Sequence, residues 1–450
     1  MKVNQNNIID PNLKATVMFV DMNSFFPSCE QQVNYWLRHR PVGVCVYTGK
    51  QGAVIALSKE AKKMGIKPAR LDQIMMKHPE FVPLETNPKR YRDFHVKLIK
   101  LLQQYSDDVI PKSIDEAIIN FTDYQVMHKD LSKIAKDIKL KMKKEMGDWF
   151  TCSIGIAPNA FLAKLGSDVQ KPDGLTVIMP DTIDKVLDKL SLTDLPGINK
   201  RMSERLMMGG IHSPLQMRHS TPQQLHRACQ SVIGEHWYYR LNFKEVDIVN
   251  DNYKSMQAMR QISMEQRQSL ETLNDILRAL CLQVEQRMVR HDLQACFFGL
   301  SCQYEQGHGW SDHIHTDMPV QDGIELMRIL KGRITVFERE NDCEPIINND
   351  VVRMTVWVSD FVNEEFVQYS LFESNVRSSA VRRSIYSIKE KFGFEKVQRA
   401  AELTDTPVLK DVIGFGSVKD LIMKKKPDDE VLEPLHYIPD VKYAGNSLFD

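Results

Sequence analysis

The chain has 450 residues, which suits about three domains of typical size rather than one. Its 59 basic and 59 acidic residues give a formal net charge of zero, which weakens the case for a wholly basic nucleic-acid binder. The composition is that of a folded soluble chain, and without an apolar membrane span or signal segment we expect a cytoplasmic protein that does not contact a membrane.

Charge is distributed unevenly along this neutral chain. Residues 1–250 carry 35 basic and 27 acidic side chains, a balance of +8, whereas residues 251–450 have a balance of −8. The first half is therefore expected to meet a polyanion most directly, although an ordinary solvated surface is the alternative. The eight cysteines form no C-x-x-C pair, which predicts reduced thiols rather than zinc sites or disulfides.

Apolar runs and helical periodicity alternate in the first part of the chain. We predict strands at 16–20, 42–47, 53–57, 117–121 and 151–156, and helices at 59–64, 92–105, 131–146 and 158–169. This alternation predicts an α/β or α+β core. Residues 181–243 are predicted to be almost wholly helical, and residues 254–360 to form a small α+β domain with helices at 271–291 and 322–339. A last helix is predicted at 376–401.

Three carboxylates lie at strand ends. Asp21 closes the first predicted strand, and Asp115 and Glu116 directly precede another. Buried carboxylates need a compensating cation, and Mg²⁺ prefers such oxygen ligands alongside substrate phosphates. Because neighbours in a regular strand point to opposite faces, Asp115 and Glu116 can serve one site only at a strand end or twist. The alternative for each acid is a helix cap or a surface ion pair.

A possible DNA-backbone contact follows at 192–211, where a short helix, the turn L-P-G-I (195–198) and a basic helix succeed one another. Backbone N–H groups at such a helix start can hold a phosphate without recognising base sequence. The predicted DNA-binding residues are Gly197, Ile198, Lys200 and Arg201.

Four motifs together carry a family resemblance. VDMNSFFPSCE (20–30), KSIDEA (112–117), CSIGIAPNAFLAKLGSDVQKPDGL (152–175) and LPGI (195–198) stand in the order found in the Y-family, or translesion, DNA polymerases of the DinB/UmuC type. The chain resembles that family from about residue 16 to 360. The resemblance implies a multidomain α+β right-hand fold. Its parts would be a palm (1–24 and 85–178), fingers (25–84), a thumb with a helix-hairpin-helix (179–247), a little finger (254–360) and a C-terminal tail (361–450).

The resemblance also implies roles for individual residues. Asp21, Asp115 and Glu116 match the catalytic carboxylates, which bind two Mg²⁺ ions together with the main-chain carbonyl of Met22. Phe26 matches the aromatic steric gate that excludes the ribose 2′-hydroxyl. The substrate-binding set is Phe25, for which a core position is the alternative, Phe26, Lys59, Lys62 and Lys171.

The fingers motif departs from the family pattern. It often reads N-Y-E-A-R, whereas this chain has Ser58-Lys59-Glu60-Ala61-Lys62. Lys62 keeps a positive charge but lacks the planar fork of arginine, and Lys59 replaces a phenolic hydroxyl with a cation. These departures affect nucleotide binding and leave the metal site intact.

The implied partners are primer–template DNA, dNTPs and a sliding clamp. The little-finger range 251–360 has a charge balance of −6, which predicts a weak grip on DNA phosphates and a need for a tether. Gln368–Phe372 (QYSLF) resembles a clamp-binding peptide, with Gln368, Leu371 and Phe372 as the contacts. The alternative is a strand end packed on the little finger.

The sequence thus predicts a monomeric, low-fidelity DNA polymerase that extends primers past damaged template bases by nucleotidyl transfer. A catalytically weak or silent adaptor, which binds DNA and the clamp, is the alternative. Lys59 and Lys62 leave room for the adaptor, whereas the intact carboxylates argue against it.

Overall fold

The computed structural model describes residues 13–46, 48–49, 52–124, 130–247, 253–367, 375–392, 397 and 399–400. These residues belong to two compact units that meet in sequence between Val249 and Asn250. The strands and helices predicted for the amino-terminal part of the chain are confirmed, with ends within a few positions of those predicted. No helix in the described ranges is both long and apolar enough to cross a membrane.

The first unit combines strands and helices. Its strands are β1 (Val17–Met22), β2 (Val42–Cys45), β3 (Val54–Leu57), β4 (Val82–Glu85), β5 (Val109–Pro111), β6 (Glu116–Asn120), β7 (Cys152–Ala157) and β8 (Leu175–Val177). Its helices are α1 (Phe25–Val33), α2 (Lys59–Lys63), α3 (Leu71–Lys77), α4 (Pro88–Leu102), α5 (Leu131–Glu145), α6 (Ala160–Val169), α7 (Ile183–Leu187), α8 (Lys200–Met208), α9 (Pro214–His219), α10 (Pro222–Cys229) and α11 (Ile233–Leu241).

A five-stranded sheet in the order β5–β6–β1–β7–β8 is the platform of this unit. The central strand β1 is buried throughout and pairs antiparallel with β6 and β7. Met18 and Val20 pack with residues of α4 and α5, whereas Val17 and Phe19 pack with residues of α6. Since side chains alternate along a strand, Asp21 shares the face of Val17 and Phe19 and points toward α6.

A three-stranded sheet, in the order β3–β2–β4, lies in the segment predicted as the fingers. Strand β2 pairs antiparallel with β3 and parallel with β4. Helix α2 starts directly after β3, where the Ser58 side chain accepts a hydrogen bond from the Ala61 N–H. This cap fixes the short helix that carries Lys59 and Lys62.

The predicted helical region contains α7 to α11 and shares a hydrophobic core with α6 of the platform. Leu195, Ile198, Leu206 and Trp237 are all buried in that core. The turn before α8 places Gly197 at a φ of 85°, a left-handed conformation that glycine adopts without strain.

The second unit contains strands β9 (Ser255–Gln261), β10 (Leu293–Tyr304), β11 (Gly309–Val320) and β12 (Val351–Asn363), and helices α12 (Leu270–Arg290), α13 (Gly323–Asn341) and α14 (Asn375–Phe392). The strands form one antiparallel sheet in the order β11–β10–β12–β9. Helices α12 and α13 pack on one face of it.

The sequence pattern did not predict strand β11. Its polar residues occupy both faces, since Asp312 lies on the helix side and pairs with Arg333 of α13 at 2.7 Å. The apolar–polar alternation that marks a half-buried strand is therefore lost, and pairing with β10 decides the conformation.

The second unit extends past the predicted little-finger boundary at residue 360, which falls inside β12. Helix α14 packs on α12. Arg382 of α14 and Arg399 both contact the carboxylate of Asp322, at 2.6 and 2.9 Å. Residues as far as 399 thus contribute to the packing of this unit.

Candidate functional site

The carboxylates meet at one edge of the platform sheet. Asp21 in β1 lies directly opposite Glu116, the first residue of β6. Opposed residues of an antiparallel pair project from the same face, so both carboxylates point toward α6. Asp21 is 4% exposed.

Asp115 lies just outside the strand, which resolves the geometric difficulty of adjacent acids. Its main-chain oxygen accepts from the Met22 N–H at 3.0 Å, and its carboxylate accepts from the Ser113 hydroxyl at 2.6 Å. Because Asp115 precedes the regular strand, it need not point away from the face that Glu116 uses.

Two lysines complete the cluster. The Lys164 ammonium, on α6, lies 2.5 Å from Asp21 Oδ2 and 2.6 Å from Glu116 Oε1. The Lys171 ammonium contacts Asp21 Oδ2 and Asp168 Oδ1, both at 2.8 Å. Asp168 also lies 3.5 Å from the Lys164 ammonium.

Burial and charge shift the pKa values of these groups in different directions. Burial raises the pKa of Asp21, but the Lys164 and Lys171 ammonium groups outweigh it and hold that pKa below its usual value. Burial raises the pKa of Asp115, against the hydrogen bond from Ser113. The pKa of Glu116 is also raised by burial, although Lys164 opposes the shift.

The donor chemistry of this cluster fits a hard divalent cation. It offers carboxylate oxygens, and burial, with a smaller contribution from Asp21, raises the pKa values of Asp115 and Glu116, so a bound cation would favour their ionised forms. Within the described ranges, no three His, Cys, Asp or Glu side chains already surround a common point as metal ligands. The Lys164 ammonium instead lies between the carboxylates of Asp21 and Glu116.

The adjacent phenylalanines differ in environment. Phe25 is 3% exposed and packs with Tyr91 and Phe150, which is the environment of a core residue, and its assignment to the substrate-binding set stays a prediction. Phe26 is half-buried and stacks on Tyr91, with ring centroids 4.6 Å apart. The stack holds one face of the Phe26 ring against the protein.

Helix α2 carries two lysines with different contacts. The Lys59 ammonium donates to the Trp149 carbonyl and the Thr151 hydroxyl, both at 3.3 Å, and burial lowers its pKa. Lys62 is exposed as a residue, yet partial burial of its ammonium lowers its pKa. Repulsion from Lys171 lowers that pKa further. Lys62 therefore lies near the carboxylate cluster, whereas Lys59 is held at Trp149.

The predicted DNA-contact residues are only partly presented to solvent. Ile198 is 4% exposed and its N–H donates to the Leu195 carbonyl at 3.1 Å, so the structure does not offer Ile198 to a ligand. Lys200 and Arg201 begin helix α8 and are exposed. The predicted clamp contacts Gln368, Leu371 and Phe372 lie outside the described residues.

Sequence reasoning missed Lys164. The available signal was its spacing from Asp168, because residues i and i+4 share one face of a helix. Such a pair is typical of a solvated helix surface, and only the packing of α6 against β1 places it on the carboxylates.

Comparisons with known proteins give the family. The sequence profile of the impB/mucB/samB family matches residues 20–168. DNA polymerase IV of Streptococcus pyogenes serotype M2 is 30% identical over 277 residues, covering 54% of this chain and 76% of that protein. DNA polymerase IV 1 of Bacillus subtilis (strain 168) is 26% identical over 403 residues, covering 87% of this chain and 94% of that protein.

The fold is similar to solved polymerase structures. A Dbh–Dpo4 Y-family DNA polymerase chimera superposes with a TM-score of 0.65 at 21% identity, covering 77% of this chain and 99% of that chain. An insertion ternary complex of Dbh DNA polymerase gives a TM-score of 0.55 at 20% identity over the same shares. With its paired carboxylates on the central strands, the chain belongs to the Y family of translesion DNA polymerases, of the DinB type.

Proposed function

We propose that this DNA-directed DNA polymerase extends primers past damaged template bases at Asp21, Asp115 and Glu116, with low fidelity. The observation that carries the proposal is the register of β1 and β6, which sets Asp21 opposite Glu116 on the face of α6. Asp115 adjoins the pair through its main-chain bond to Met22. Membership of the Y family supports the reaction class.

Y-family polymerases depend on divalent metal ions. Asp21, Asp115, Glu116 and the main-chain carbonyl of Met22 would hold two Mg²⁺ ions. When bound, the ions would lower the pKa of the primer 3′-hydroxyl and offset the negative charge of the triphosphate.

The remaining residues would position the dNTP. The Phe26 ring, backed by Tyr91, would exclude a ribose 2′-hydroxyl, and the Lys171 and Lys62 ammonium groups would bind triphosphate oxygens. Lys171 is 39% exposed and can exchange its contacts with Asp21 and Asp168 for phosphate, and the exposed Lys62 lies near it. Lys59 would contribute indirectly, by holding Trp149 in place, because its ammonium already donates to the Trp149 carbonyl.

DNA would be held largely by residues 1–250, which carry the excess of basic side chains. The turn at Gly197 with Lys200 and Arg201 would contact phosphates, while the acidic range 251–360 would hold the duplex weakly.

We propose a monomeric cytoplasmic enzyme that uses Gln368, Leu371 and Phe372 to bind a sliding clamp. We keep the palm, fingers and thumb boundaries that the sequence predicts, and propose that the little finger extends beyond residue 360.

Primer extension tests the reaction. Wild-type protein with Mg²⁺ or Mn²⁺ should extend primers on undamaged and abasic templates, and Asp115→Asn should abolish extension because it removes a metal-binding charge. Asp188→Asn changes an exposed acid of α7's C-terminus and is the matched control, expected to match wild type. Absence of extension by wild type with either metal would contradict the proposal and favour the adaptor.

A second experiment tests the tether. Deleting Gln368–Phe372 should reduce synthesis in the presence of the clamp and leave clamp-free synthesis unchanged. An equal loss in both assays would show that the segment is structural instead.

A further inference from the structure

We propose that Lys164 is a built-in counter-ion of the carboxylate site, whose ammonium group occupies the space that a divalent cation needs and must withdraw before the cation binds. The inference rests on the proposed function, since it concerns the same carboxylates. It adds a residue that controls how tightly the site holds its metal.

Distances show why the two cations compete. The Lys164 ammonium lies 2.5 Å from Asp21 Oδ2 and 2.6 Å from Glu116 Oε1. A Mg²⁺ ion bound to both oxygens would lie about 2.1 Å from each. The ammonium already contacts both oxygens that such an ion would use, so the ammonium and the ion compete for the same two oxygens.

Charge makes the competition substantial. Asp21, Asp115 and Glu116 carry three negative charges when ionised, and Lys164 and Lys171 supply two positive ones. In the metal-free protein this compensation offsets part of the repulsion among the three acids. The same compensation lowers the attraction that an incoming divalent ion experiences.

Asp168 provides the position to which Lys164 withdraws. It lies one turn further along α6, and its Oδ1 is already 3.5 Å from the Lys164 ammonium. Asp168 Oδ1 also binds Lys171 at 2.8 Å. When Lys171 turns toward a triphosphate, Asp168 loses that partner and becomes available to Lys164, so nucleotide binding would free the carboxylate that the displaced Lys164 then contacts.

The test measures Mn²⁺ binding to the full chain without DNA or nucleotide, from the electron paramagnetic resonance signal of free Mn²⁺. Lys164→Met keeps the aliphatic stem and removes the charge, and should bind Mn²⁺ about tenfold more tightly, the factor of a 1.4 kcal/mol gain. Lys164→Arg keeps the charge and should bind no more tightly than wild type. Lys136→Ala, an exposed lysine of α5, controls for net charge.

Two further measurements separate competition from a structural role. The melting temperature of metal-free Lys164→Met should fall below that of wild type, because the buried Asp21 and the half-buried Glu116 lose their partner, and saturating Mn²⁺ should recover the difference. Asp168→Asn should weaken Mn²⁺ binding in wild type but not in Lys164→Met. Only a protein that has the Lys164 ammonium needs Asp168 to accept it when the metal binds.

The outcomes distinguish this inference from the proposed function. Mn²⁺ binding by wild type with equal or weaker binding by Lys164→Met would overturn the counter-ion role alone. No Mn²⁺ binding by either protein would overturn the metal site itself. Equal effects of Asp168→Asn in both backgrounds would also overturn the withdrawal of Lys164 onto Asp168.

Discussion

The buried ion pair between Glu285 and Arg399 yields a prediction about where the second unit ends. The Glu285 side chain is fully buried, and its Oε2 accepts from Arg399 Nη2 and from the Gly323 N–H, each at 2.7 Å. Arg399 lies outside the domain range predicted from the sequence. Replacing it by methionine keeps the apolar stem and leaves the Glu285 carboxylate buried with a backbone donor.

The expected cost follows from this geometry. Breaking a buried pair by removing one partner costs about 3–5 kcal/mol, because the remaining charge is uncompensated. The second contact of Arg399, to Asp322, adds little, since Asp322 keeps Arg382 and caps α13. Arg399→Met should therefore lower the opening free energy of α12 and α13 by about 3 kcal/mol at pH 8.

Acid should partly restore the variant. Burial already raises the pKa of Glu285, and loss of Arg399 raises it further. The native state then binds a proton that the unfolded chain, with a glutamate pKa of about 4.3, does not bind near neutrality. The deficit should shrink as pH falls toward the raised pKa of Glu285, because native Glu285 then becomes neutral.

The assay is native-state hydrogen exchange on the full chain, followed by mass spectrometry of peptides covering residues 270–290 and 323–341. Arg328→Met is the matched control, since Arg328 pairs with Glu325 on the exposed face of α13, where such pairs are worth about 0–1 kcal/mol. If Arg399→Met costs no more than Arg328→Met, Arg399 does not stabilise Glu285 and the unit ends earlier.

Three other predictions concern the platform and its site. Phe26→Ala should raise the ratio of rNTP to dNTP incorporation about ten- to hundredfold, the range for a clash of about 1–3 kcal/mol, and an unchanged ratio would contradict the steric gate. Gly155→Ala should destabilise the protein to urea by at least about 2 kcal/mol, because the added methyl meets the Ala163 carbonyl of α6, whereas Gly332→Ala, with open space around it, should be neutral or stabilising. Burial lowers the pKa of His95, whose Nδ1 bonds a backbone carbonyl at 2.8 Å. The unfolded chain therefore binds a proton more readily, and stability to urea should fall as pH drops below about 6.5. His95→Asn should remove that component, and an identical pH profile would refute it.

The sequence determined the local structure and the chemistry of the site. The apolar run of β1 ends on Asp21, and the alternation of side chains puts that acid on the same face as Phe19. Ser58 and its neighbours likewise mark the start of α2. These features depend on residues close together in the chain, so local propensity and periodicity are enough to predict them.

Only the tertiary structure decided which side chains meet. Lys164 reaches Asp21 and Glu116 because α6 packs across β1, and its spacing from Asp168 in the sequence does not specify that contact. Phe25 and Phe26 look equivalent in the motif, yet the start of α1 buries one ring and stacks the other on Tyr91. Contacts between segments distant in sequence depend on how faces pack, and a local pattern does not contain that information.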